Sequence, residues 1–236
     1  MDWGENAEEK EPMIASLVEL AGLYGGDVDD VVKRTTQHFS PWGIPIRPPR
    51  TIRELGFWLS NKFPVLAIEN GRPLIITAPN VTHHILFHEG LHIERYWLDG
   101  VGRLESSEAA SDGIYWLEND LEHVIIVPRE IANFPTASCY WLEMQEKHLH
   151  VTLAQAQLPL KRFDLVRNFM LTSRLFPSHE LTSTVKGYLT DEGIFKSSDE
   201  IVQAYHCNSI DKLTTAISIL SLCGLDCGDL SVAYLR

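Results

Sequence analysis

The stretch "HHILFHEGLHIERYWLDG", residues 83–100, decides how this chain is read. Within it His88, Glu89 and His92 spell H-E-x-x-H. Residues four apart on a helix share a face, so a helix here aims two imidazoles at one point. The flanks predict that helix. Pro79 and Asn80 end the preceding segment, and Asn80 is a good N-cap. Gly100 and Gly102 close the far end, giving a helix from about Val81 to Leu98. Val81, Ile85, Leu86, Phe87, Leu91, Tyr96, Trp97 and Leu98 make much of its surface apolar, which predicts burial. Buried polar side chains need partners, and a metal ion would supply them. The plain alternative is three polar residues sharing a helix by chance, in a chain with ten histidines.

Zinc takes imidazole nitrogen in a tetrahedral shell, and a catalytic zinc keeps three protein ligands and one open position. Glu89, beside the first ligand, then stands next to the metal as a base for water. His84 extends the ladder to i, i+4, i+8, but only the His88/His92 pair has a glutamate in the base position. The third ligand is sought in "LESSEAASDGIYWLENDLEH", which offers Glu105, Glu108, Asp112, Glu118, Asp120, Glu122 and His123. Glu118 lies on the stripe of Ile114, Leu121 and Ile125, where a carboxylate is costly unless paired or metal-bound. Asp120 is next best, and Glu108 reads as solvated. Glu122, one turn beyond Glu118, suits a hydrogen bond to a ligating histidine. His123 is either a further ligand candidate or a transition-state donor. Tyr115 and Arg129 are other donor candidates.

Around this centre, "PVLAIENGRPLIITAP" reads as two strands joined at Asn70-Gly71, a pair that accepts the positive φ angles of a tight hairpin. Pro73 suggests a sheet edge or irregular pairing. Residues 1–12 read as disordered, and residues 13–24, 27–39 and 51–63 as helices. "SPWGIPIRPPR", residues 40–50, reads as an irregular strap because of its four prolines. A helix over about 106–128 is expected to end at Pro128. The rest reads as mostly helical, with Ser197 and Glu200 as a capping box and "DKLTTAISILSLC" closed by Gly224. Cys223 and Cys227 read as small apolar residues, and "EMQEKHLH" as surface. The expected organisation is residues 1–50 as N-terminal helices and strap, 51–135 as a catalytic core, and 136–236 as a helical region.

With 44 % hydrophobic and 22 % charged residues, the composition is that of a globular protein able to bury a core. The net charge of −12 argues against broad binding to nucleic acid or to an anionic membrane. No apolar run reaches the ~18 residues of a spanning helix. The acidic start lacks a secretory pattern, so a cytoplasmic location is expected, with four reduced cysteines.

A strand, then "HEGLH" on a helix, then a second helix with an inward glutamate resembles a zincin metallopeptidase of the gluzincin kind. "VIIVPREI" is similar to the end of the ligand helix in ImmA/IrrE-type intracellular peptidases. The resemblance covers roughly residues 64–131 and departs where Glu94 and Arg95 follow the second histidine so soon. It implies an α+β fold, with a small sheet or hairpin packed on the H-E-x-x-H helix and a ligand helix. It also implies one Zn2+ per chain, with His88, His92 and Glu118 as ligands and Glu122 in support. The implied activity is peptide-bond hydrolysis with Glu89 as general base and His123 or Tyr115 as donor. The expected partners are a protein or peptide substrate and a regulatory protein. Two other readings stand beside it: an inactive zincin-like binding module, and a metal-dependent hydrolase of a small amide.

Overall fold

The computed structural model describes residues 38–39, 44–47, 65–69, 72–76, 83–106 and 111–234. Helices expected over 13–24 and 51–63, most of that over 27–39, the polar start and the Asn70-Gly71 turn lie outside these residues. The described residues are mostly helical, with two small sheets. The chain divides into two compact units, Met1–Asp99 and Gly100–Arg236.

The first unit holds β1 (His38–Phe39), β2 (Ile44–Arg47), β3 (Val65–Glu69) and β4 (Arg72–Ile76), ordered β1-β2-β4-β3. β3 and β4 pair antiparallel, from Val65 opposite Ile76 to Glu69 opposite Arg72, as expected of the hairpin. Three expectations need correction. The 40–50 strap contains a strand, β2, since Pro45 falls in the half paired with β1 while Ile46 and Arg47 pair with β4. β4 is internal rather than an edge strand. Pro73 is tolerated because β2 meets β4 only at Ile75 and Ile76, so its missing N–H removes no bond there. The helix expected through residue 39 does not include His38 and Phe39, which form β1. Leu74, Ile75 and Ile76 are all buried, as befits a strand covered on both faces.

Helix α1 (His83–Ile93) packs on this sheet. Its last turn loosens into a π-helical segment, Glu94–Leu98, in which the Asp99 amide bonds the Glu94 carbonyl at 2.9 Å. Such segments recur beside functional sites. Gly100 then adopts φ +66, and the helix stops where the glycines forecast.

The second unit begins with β5 (Arg103–Glu105), paired antiparallel to β6 (Ser231–Ala233). No sequence pattern announced β6. Gly102 belongs to this contact: an added Cβ would sit 2.0 Å from Val232 Cγ1, so only glycine fits. Helices α2 (Ser111–Asn133), α3 (Ala137–Leu153), α4 (Leu158–Leu175), α5 (Glu180–Asp191), α6 (Phe195–His206) and α7 (Lys212–Cys223) follow. α4 is central, packed by α2, α3, α5 and α7. Its run from Leu165 to Thr172 is entirely buried, with Leu165, Val166, Phe169 and Met170 fully enclosed. That burial replaces an amphipathic pattern, since even Arg167, Asn168 and Thr172 are enclosed.

α2 does not end at Pro128 but runs on to Asn133. Proline removes one backbone bond, and the burial of Ile126, Val127 and Glu130 around it holds the helix through the defect. Ser197 is not a cap: α6 starts at Phe195 after Gly193, at φ +72, has turned the chain. α7 meets its expectation, with Asp211 as N-cap and Gly224 at φ +73 as stop. No helix among the described residues is long and apolar enough to cross a membrane.

Candidate metal site

α1 presents its two histidines as the spacing requires. His88 and His92 are both buried, their rings 4.8 Å apart at 83°. Zn–N bonds of about 2.0–2.1 Å in a tetrahedral shell place ligand nitrogens roughly 3.4 Å apart, which two such rings can supply. The His92 ring also stacks on Tyr96 at 5.9 Å and 8°. Leu91 and Ile93, buried among the sheet residues of this unit, fix the helix that carries the pair. Glu89 and His84 are half-buried. The ladder residue His84 is thus neither enclosed like the pair nor free in solvent.

Among the residues of α2 whose side chains are described, five polar ones are buried: Glu118, Asp120, Glu122, His123 and Glu130. Within its unit each has identifiable company. Glu118 Oε2 accepts from the Leu104 amide at 3.0 Å, and its Oε1 accepts from Lys212 Nζ at 2.8 Å. The same ammonium reaches Glu122 Oε1 at 2.5 Å and donates to the Gly102 carbonyl at 2.9 Å. One lysine, from the first turn of α7, therefore neutralises part of a two-carboxylate face and ties α2 to β5. Asp120 Oδ2 accepts from Arg167 Nε at 2.6 Å, and Arg167 Nη1 bonds Asp164 at 2.9 Å. Burial pushes the Asp120 carboxyl up from its usual value, against the pull of the Arg167 guanidinium. His123 lies with Nδ1 4.0 Å from Asp120 Oδ1, its ring edge-on to Trp141 at 4.8 Å. Trp141 is itself held by its Nε1–H donating to Glu130 at 2.9 Å.

Tyr115 stands on the exposed side of α2, against Trp116. Arg129 is also exposed, and Glu105 lies exposed on β5. Cys223 is buried and Cys207 exposed. In "EMQEKHLH", Glu143, Glu146 and His150 are exposed, while His148 lies 3.8 Å from Asp164. Sequence reasoning missed Lys212 and Arg167. Nothing in "DKLTTAISILSLC" distinguishes Lys212 from a solvated lysine. Arg167 carries one signal only, a charge set among the apolar residues Leu165, Val166, Phe169, Met170 and Leu171.

Among the described residues, His88, His92 and His123 form a buried set that could hold a metal ion. Each offers one imidazole nitrogen, a ligand that suits zinc, copper, iron or nickel. Compared with family models, with curated proteins and with solved structures, the chain matches none.

Proposed function

We propose that the chain is a zinc-dependent hydrolase of peptide bonds, with His88, His92 and His123 as ligands. The observation that carries this reading is the buried three-histidine set, two of whose members belong to an H-E-x-x-H helix. Three neutral imidazoles leave a fourth position open. When bound, the ion would acidify a water and polarise the scissile carbonyl. Glu89 takes the proton of the attacking water as the new C–O bond forms and passes it to the leaving amine as the C–N bond then breaks.

His123 is preferred to Glu118 as third ligand on chemical grounds. Glu118 already serves the Lys212 ammonium and the Leu104 amide, and metal binding would have to displace both. Tyr115, being exposed, is a weaker donor candidate. A peptide substrate is favoured by β3, an outer strand of the sheet among the described residues, since an outer strand can add an extended chain. The addition belongs there and not on β4, which has neighbours on both sides.

Elemental analysis of untagged protein after zinc resupply tests the reading. We expect one zinc per chain in wild type and in Glu118→Ala, with loss in His88→Ala and His123→Ala. Glu89→Gln should keep its zinc while peptide cleavage falls at least ~100-fold. Absence of zinc from wild type would refute the reading, as would retention of zinc by both histidine variants.

A further inference from the structure

The buried network around His123 carries a more specific conclusion. Asp120 and His123 stand three apart on α2, so both project from one face of the helix. The nitrogen of His123 that faces the carboxylate is Nδ1, 4.0 Å from Oδ1. A shift of about 1 Å brings it to hydrogen-bond length. The carboxylate cannot turn away, because its other oxygen is held by Arg167 Nε at 2.6 Å. Arg167 is in turn fixed by Asp164 at 2.9 Å and lies 5.4 Å over the Phe163 ring. On the imidazole side, Trp141 limits ring rotation, and Glu130 anchors Trp141. Asp120, His123, Arg167, Trp141 and Glu130 are each backed by a partner on a different helix.

We propose that Asp120 is the positioning residue of His123: with Arg167 behind it, it holds the proton on Nδ1 and assigns Nε2 as the ligating nitrogen. A carboxylate behind a ligating histidine fixes its tautomer and raises its basicity. The expectation that Glu122 would play this part does not enter the proposal, because Glu122 faces Lys212. The tautomer is argued from the contacts of Asp120, His123, Arg167 and Trp141. Its consequence for metal affinity rests on the function proposed above.

Asp120→Asn is the discriminating variant. Arg167 Nε can bond only an oxygen, so the asparagine carbonyl takes that side and its NH2 faces His123. An NH2 donates to Nδ1 and drives the proton to Nε2, as in an Asp→Asn change behind a catalytic histidine. The readout is the ring-nitrogen correlation spectrum of 15N-histidine-labelled, metal-free protein. Wild-type His123 is expected to carry its proton on Nδ1 and Asp120→Asn on Nε2, with unchanged far-ultraviolet circular dichroism. Zinc affinity, measured by competition with a chelating dye, should fall about 10–100-fold. A wild-type His123 protonated on Nε2 overturns the proposal, and this needs no variant to fold. So does a tautomer that stays the same in Asp120→Asn. If wild type shows the Nδ1–H tautomer and binds no zinc, the positioning stands and the hydrolase reading fails.

Discussion

Replacing Lys212 by methionine keeps the length and apolar stem of the side chain and removes its charge. The structure sets the size of the effect. Glu118 is 3 % exposed and Glu122 is fully buried, and the Lys212 ammonium contacts both at 2.8 and 2.5 Å. Without it, two carboxylates one turn apart on α2 face each other with this countercharge gone. Removing one partner of a buried pair costs about 3–5 kcal/mol, because the remaining charge stays desolvated. The Gly102 carbonyl also loses its donor, which loosens the β5 end of the contact. For a domain of this size each kcal/mol moves the midpoint by roughly 2–4 °C, so a fall near 10 °C is expected. Urea unfolding followed by circular dichroism measures the free-energy change directly. Adding Glu118→Gln and Glu122→Gln to Lys212→Met should restore most of the loss, since neutral amides need no countercharge. A loss under ~1 kcal/mol, or one that the two glutamines leave unchanged, would show that Lys212 acts through packing and would refute the electrostatic account.

Two further outcomes are expected. Asp211 caps α7 by accepting from the Thr214 amide and hydroxyl, both at 2.8 Å, which holds its carboxyl below the usual aspartate value. Asp211→Ala should cost about 1 kcal/mol at neutral pH, at the low end for so exposed a group. Because the folded-state value is depressed, this contribution is present above about pH 4 and lost as pH falls through that lower value; a difference that persists unchanged at pH 2 would contradict it. Burial pushes the Cys223 thiol up to about 12, while Cys139 and Cys207 are exposed. A thiol-disulfide reagent at pH 8 should label the exposed pair and reach Cys223 only on unfolding.

What was legible from residues alone is local. Asn70-Gly71 between β-type runs announced the antiparallel pairing of β3 with β4, because an Asn-Gly pair favours a tight reversal. The H-E-x-x-H spacing put His88 and His92 on one buried helix face, and Gly100 and Gly224 marked helix ends through their own backbone freedom. Where the reading failed, a non-local contact outweighed a local signal. Pro45 and Pro73 argue against regular pairing, yet both sit in strands, at registers where a missing N–H is tolerated. Pro128 argues for a helix end, yet buried neighbours carry α2 past it.

The candidate site divides in the same way. The sequence by itself determined which side chains share a helix face: His88 with His92, Glu118 with Glu122, Asp120 with His123. Helical periodicity is a property of a few consecutive residues. Only the tertiary structure decided what each face meets. Lys212, ninety-four positions from Glu118, pairs with the carboxylate that apolar patterning had marked as needing a partner or a metal. Arg167, forty-seven positions from Asp120, holds one oxygen of that aspartate. A buried charge must find a counterpart, but its identity depends on which distant helix packs there, and no local spacing encodes that.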